Sequence, residues 1–175
     1  MIALIVGGFG VGKDTVADLL IQESLKHNDC DKFEKVLSYT TREPRYEGED
    51  THTFCTKEEF EKFNDLIAFT SIDSYYYGAR ESQFDKSKVN LYCVDDKGVI
   101  DVLSSNIDDE VIVIEVIRPI WLIDVTSERL KRHRDYSDYS YDIDYRIMND
   151  GDMGKLKTSV SDCFDFLVRM VKKNL

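Results

Sequence analysis

Within nine residues, GGFGVGKDT (Gly7–Thr15) sets four glycines before a lysine, an aspartate and a threonine. Gly7, Gly8, Gly10 and Gly12 let a backbone wrap tightly, so that several N–H groups converge on an anion. Lys13 adds a mobile point charge able to reach the β- and γ-phosphates of a nucleotide. The pattern matches G-x-x-x-x-G-K-[ST] except at its last position, where Asp14 replaces the hydroxyl that ligates Mg²⁺. A carboxylate there binds Mg²⁺ more strongly, or repels phosphate oxygens when the metal is absent. The plainer alternative is a carboxylate favoured by the helix dipole. Thr15 cannot simply take over the metal position, because one helical residue turns about 100°; it is suited to the α-phosphate. The candidate ATP-binding set is therefore Gly8, Gly10, Gly12, Lys13, Asp14 and Thr15, with Lys13 also catalytic.

A second cluster, SYTTREPR, puts Ser38, Thr40, Thr41, Arg42 and Arg45 within eight residues. Two arginines beside hydroxyls can clamp a phosphate bidentately; alone, they could equally be solvated loop residues. A third, ERLKRHR, offers Arg132 and Arg134 as arginines that close over a transferring phosphoryl group, or as a basic helix end satisfying carbonyl dipoles. Asp95 and Asp96 end an apolar strand, where open α/β sheets place ligand groups. Either they hold Mg²⁺ through water, or they cap the next helix.

These residues need elements to hold them. Ile2–Val6 reads as a buried strand, and Lys13 to about Leu25 as a helix, so the glycine loop joins strand to helix. Lys35–Thr40 reads as a strand and the charged stretch after it as a loop. Thr56 caps a helix predicted over Lys57–Phe63, with Glu59 in the capping-box position. Leu66–Ile72 and Tyr75–Tyr77 read as strands, with Gly78 a turn. Asn90–Asp96 ends a strand and Lys97–Ser104 a helix. Val111–Ile117 is a buried strand. Ile120–Val125 fits either a strand or a helix start, Asp135–Ile143 a tyrosine-rich loop, Asp144–Asp150 a last strand and Met153–Val171 a last helix. Alternating strands and helices predict an α/β domain with a mostly parallel sheet, over residues 1–175. The segment at about 42–77 breaks the rhythm as a small inserted subdomain, and about 126–143 forms a lid.

The net charge of −11 argues against nucleic acid and anionic membrane surfaces as partners, so an anionic ligand must be caught by local cations. No apolar run is long enough to span a bilayer. The first residues read as a strand rather than a secretory leader. Four scattered cysteines, without a C-x-x-C pair, fit reduced thiols in a cytoplasmic protein. Oligomeric state is left open.

SYTTREPRYEGE, then TFCTKEEFEKF, then YYYGAR resembles the guanylate kinase pattern in order and approximate spacing, over roughly residues 2–105. The resemblance implies a three-layer P-loop NTPase sandwich, with Mg-ATP as donor and a nucleoside monophosphate (NMP) as acceptor. It implies that Ser38, Arg42, Arg45 and Tyr77 bind the acceptor phosphate. GKDTVADLL, VIEVIRP and DYSYDIDYRIMNDG resemble phage-type deoxynucleoside monophosphate kinases, which also carry aspartate after the lysine. Departures from the guanylate kinase pattern are specific. The guanine-reading glutamate falls at Ala68, a serine or threonine at Ala79, and a tyrosine at His52. The first strand-end aspartate falls at Cys93, leaving Asp95. Thr70, Ser71 and Asp73 are the nearby polar replacements. The implied NMP-binding set is Ser38, Arg42, Arg45, His52, Tyr77 and Asp95, and the implied metal ligands are Asp14 and Asp95.

Overall fold

The computed structural model describes residues 1–27, 32–123 and 140–173. Strand β1 (Ile2–Val6) is buried along its whole length, so it must be covered on both faces. Its alternate side chains divide between two cores. Ala3 and Ile5 join Val16, Ala17 and Leu20 of α1 (Lys13–Lys26) and Leu156, Val160 and Leu167 of α4 (Met153–Lys173). Ile2, Leu4 and Val6 join Val99 and Val102 of α3 (Asp96–Ser104). Helices on both sides of one sheet make three layers.

The sheet contains five parallel strands in the order β2 (Phe33–Val36), β7 (Val89–Cys93), β1, β8 (Val111–Ile117), β9 (Tyr145–Met148). Strand β1 lies at its centre. The loop after it therefore opens where the C-terminal ends of β7 and β8 also converge. The expected α/β class with a parallel core holds.

A second sheet has the order β4 (Thr53–Phe54), β3 (Tyr39–Thr40), β6 (Tyr75–Arg80), β5 (Leu66–Ile72). The single strand expected over Lys35–Thr40 is split: β2 ends at Val36 in the large sheet, and β3 begins at Tyr39 in the small one. The turn expected at Gly78 is also elsewhere. Gly78 lies inside β6, where an added Cβ would stand 3.0 Å from Leu66 Cδ1. The hairpin turns at Asp73–Ser74, with φ of 52° and 69°, and closes Ile72 onto Tyr75. Two left-handed residues in a two-residue loop match the right-handed strand twist, and Asp tolerates that conformation.

Helix α2 (Lys57–Phe60) has the expected capping box but only one turn, ending before Phe63. Phe60 is its buried residue, packed against Phe63, Phe69 and Tyr76 rings. After β8, Ile120–Leu122 makes one 3₁₀ turn rather than a strand. Positions 126–139 of the expected lid, with Arg132 and Arg134, lie outside the described residues. No helix among the described residues is long and apolar enough to cross a membrane.

Candidate functional site

The glycine loop is shaped by what presses on it. Gly12 caps α1 with φ of 98°, and a Cβ there would stand 2.8 Å from Asn149 Nδ2. That same amide donates to Val11 O at 2.8 Å, so the end of β9 braces the loop from behind. Asn149 is buried and gave no local sequence signal, because its partner is 138 residues away.

Lys13 folds back over the loop, donating to Gly7 O at 2.8 Å and Gly8 O at 3.1 Å. Burial lowers the pKa of its ammonium below the ordinary lysine value, opposed by the carboxylates of Asp14, Asp95 and Asp96. Carboxylates from the starts of two helices thus act on one lysine. Asp14 is exposed, and its Oδ1 lies 3.4 Å from Lys35 Nζ on β2. Thr15 is exposed beside it. Asp95 caps α3: its Oδ1 accepts from Gly98 N at 2.8 Å, the capping role foreseen as the alternative to metal binding. Asp96 is buried and accepts from the Tyr141 hydroxyl. Burial raises its carboxyl pKa, with the Tyr141 hydrogen bond opposing. Asp96 and Tyr141 line a cavity of about 200 Å³ at the loop, together with Gly7, Gly8, Glu115 and Arg118. Cys93, where the resemblance expects an aspartate, has its thiol pushed up to about 12 by burial, so it stays neutral.

The arginine pair is organised by a residue the sequence reading missed. Glu49 accepts from both terminal nitrogens of Arg42, at 2.8 and 3.1 Å, from the Arg45 backbone N–H at 2.6 Å and from Thr51 Oγ1 at 2.7 Å. Its side chain is 1 % exposed. Those bonds, led by Arg42, hold its carboxyl well below the usual carboxylate range. Arg42 also lies 5.3 Å from the Phe54 ring centroid, and its buried Nε has no hydrogen-bond partner among the described residues. The fork–fork pair fixes the guanidinium plane. Arg45 is looser: its side chain is 57 % exposed, and its guanidinium comes no nearer than 3.9 Å to the Glu49 carboxylate.

Tyr77 stands beside this clamp. It acts with Glu49 to raise the Arg42 pKa, and its ring meets that of His52 edge-on at 5.7 Å. Burial, then the Arg42 charge, lowers the His52 pKa. Arg42, Arg45, His52 and Tyr77 are therefore brought together. The Ser38 carbonyl accepts from the backbone N–H of Thr53, next to His52, at 2.9 Å, and its Oγ is 3.1 Å from the hydroxyl of Tyr92, a buried phenol whose pKa burial raises.

Ala68 occupies an irregularity of β5, with φ of 55°, where the register with β6 shifts between Ile67 and Thr70. Its methyl faces α3, 3.4 Å from where a Cβ on Gly98 would lie. The Asp101 carboxylate of α3 accepts from the next backbone N–H, that of Phe69, at 3.1 Å. The position at which the resemblance expects a glutamate is thus filled by helix packing. Thr70 is buried, while Ser71 and Asp73 are exposed, Asp73 in the hairpin turn.

The fold has a counterpart among solved structures. Guanylate kinase from Anaplasma phagocytophilum superposes with a TM-score of 0.66 at 20% identity, covering 94% of this chain and 84% of that one. The fold is that of a guanylate kinase. No family profile and no curated relative matches the sequence. At this identity the likeness speaks for architecture, and the chemistry rests on this chain's own residues.

Proposed function

We propose that this chain is an ATP-dependent nucleoside monophosphate kinase of guanylate kinase type, transferring the γ-phosphoryl of ATP to (d)GMP or a related (d)NMP. One observation carries the reading: two separate cationic sites, each suited to phosphate, stand on different sheets. Lys13 and the backbone of Gly8–Thr15 hold the donor, and Arg42, Arg45 and Tyr77 hold the acceptor phosphate, with His52 and Ser38 beside it. The small sheet is then the NMP-binding subdomain. No covalent intermediate is required, because positioning and charge stabilisation suffice for phosphoryl transfer. Arg132 and Arg134 are the proposed lid cations.

Magnesium fits the donor set. It is typically bound by one or two carboxylates plus substrate phosphates rather than by an all-protein cage. Asp14 is an exposed carboxylate at the helix start, and Asp95 and Asp96 lie near the same lysine. Asp14 and Asp95 would hold the ion, which would supply charge neutralisation to the bound polyphosphate.

A second reading is favoured by Ala68: a kinase of broader or different base specificity. A carboxylate accepting from both guanine N–H groups gives strong discrimination, and helix packing at Ala68 supplies none. ADP formation with Mg-ATP against GMP, AMP, CMP, UMP, dGMP, dAMP, dCMP and dTMP separates the readings. Turnover with GMP and dGMP alone supports the guanylate reading, and turnover with several bases supports the broader one. No turnover with any acceptor, while ATP binds, overturns both in favour of a nucleotide-binding or interaction module.

A further inference from the structure

Asp14 departs from the phosphate-loop pattern, and its partner comes from outside the loop. Lys35, on the edge strand β2, extends its ammonium over the first two turns of α1. The ammonium donates to Asp18 Oδ1 at 2.8 Å and lies 3.4 Å from Asp14 Oδ1. Asp14 and Asp18 are four residues apart, so one face of α1 presents both carboxylates to a single cation. The grip is uneven. Asp18 has the true hydrogen bond and Asp14 only an ion-pair distance, with the Lys35 side chain 22 % exposed and that of Asp14 64 %. Burial disfavours the Lys35 charge, but the Asp18 hydrogen bond and the two carboxylates more than offset it, so the lysine stays charged.

This arrangement addresses the cost of a carboxylate at a phosphate site. Unpaired, Asp14 would repel polyphosphate oxygens approaching the loop. Resting on the donor-site reading above, we propose that Lys35 is a positioning residue. It neutralises Asp14 when no metal is present and releases it when a metal-bound polyphosphate arrives, keeping Asp18 as its partner. The tighter bond to Asp18 makes that release possible without leaving the lysine unpaired.

The test is calorimetric titration of ADP, once with EDTA and once with Mg²⁺, into wild type, Lys35→Met, Lys35→Arg, Asp14→Ser and Asp14→Ser/Lys35→Met. Coupling between directly paired groups gives the scale: Lys35→Met weakens metal-free ADP about tenfold and Mg-ADP by no more than about threefold. Lys35→Arg restores metal-free binding to within about twofold, and in the Asp14→Ser background the metal-free penalty shrinks to about threefold. A penalty equal with and without Mg²⁺, or equal in both Asp14 backgrounds, overturns the proposal and leaves Lys35 a general cation or a strand residue. A folding defect cannot mimic the expected split, because both titrations use the same variant. Failure of wild type to bind ADP in either condition defeats the donor-site reading itself, and this inference with it.

Discussion

On the proposed reading, the glycine loop and the arginine clamp face the same chemical problem and meet it with different materials. In the loop, the groups that would meet phosphate are backbone N–H groups, held by a glycine turn between the central strand and α1 and braced by Asn149. In the clamp they are side chains, which have many rotamers and need a partner to fix them. Glu49 is that partner, with four accepted bonds across a short loop and almost no exposure. A backbone site is specified mostly by its own residues. A side-chain site depends on residues that never touch the ligand.

Breaking the loop at its lysine has the largest expected effect. Lys13→Met removes the charge proposed to meet the transferring phosphoryl group, and kcat with the best acceptor falls about 10³-fold in a coupled ADP assay. The unfolding temperature does not fall, because the lost ammonium is partly buried at some desolvation cost.

Next is the brace of the clamp. Glu49→Ala frees the Arg42 plane, and the acceptor KM rises about thirtyfold while the ATP KM changes less than about twofold. Glu49→Gln keeps the shape and one acceptor oxygen, with a rise of about fivefold. Equal changes in both KM values would mean that Glu49 supports the fold at large rather than the clamp.

A third substitution probes the acceptor-base side of the comparison. Ala68→Glu places a longer, charged side chain in a left-handed bulge against Gly98. It lowers stability by about 1–3 kcal/mol in denaturant unfolding and does not increase preference for GMP over other acceptors. A gain in GMP preference without loss of stability would show that the bulge can open to present a glutamate.

The smallest effect concerns His52, beside the clamp. Its pKa lies below the ordinary 6.5, through burial and then Arg42, so the unfolded chain takes up the proton first as pH falls. The stability this provides is complete above pH 6.5 and is lost as pH drops through the folded value. Thermal unfolding at pH 7.5 and about 5.5 checks the sign: the melting temperature drops on acidification, and drops less in His52→Gln.

The same contrast explains what could be read from sequence. Strand, glycine loop and α1 were legible because their signals are local: a short apolar run, glycine spacing and helical periodicity. The β-branched run of β8 and the capping box of α2 were legible for the same reason. Gly78 misled because a glycine in a strand and a glycine in a turn look alike without the Leu66 side chain packed against it. The clamp loop contains Glu43, Glu47, Glu49 and Asp50, and nothing in the spacing distinguishes the one that turns inward. Asp95 was read as either cap or ligand, and the cap is what the fold displays. Lys35 and Asn149 act through tertiary contacts that no window of sequence contains.

On the proposed reading, two independent phosphate sites exist on one chain. Calorimetric titration of Mg-ADP and of GMP, separately and together, into wild type, Lys13→Met and Arg42→Met tests it most directly. The expected result is one site for each ligand and binding of both at once. Lys13→Met loses Mg-ADP while keeping GMP, and Arg42→Met does the reverse. Competition between the two ligands for one site, or loss of both in either well-folded variant, would contradict it.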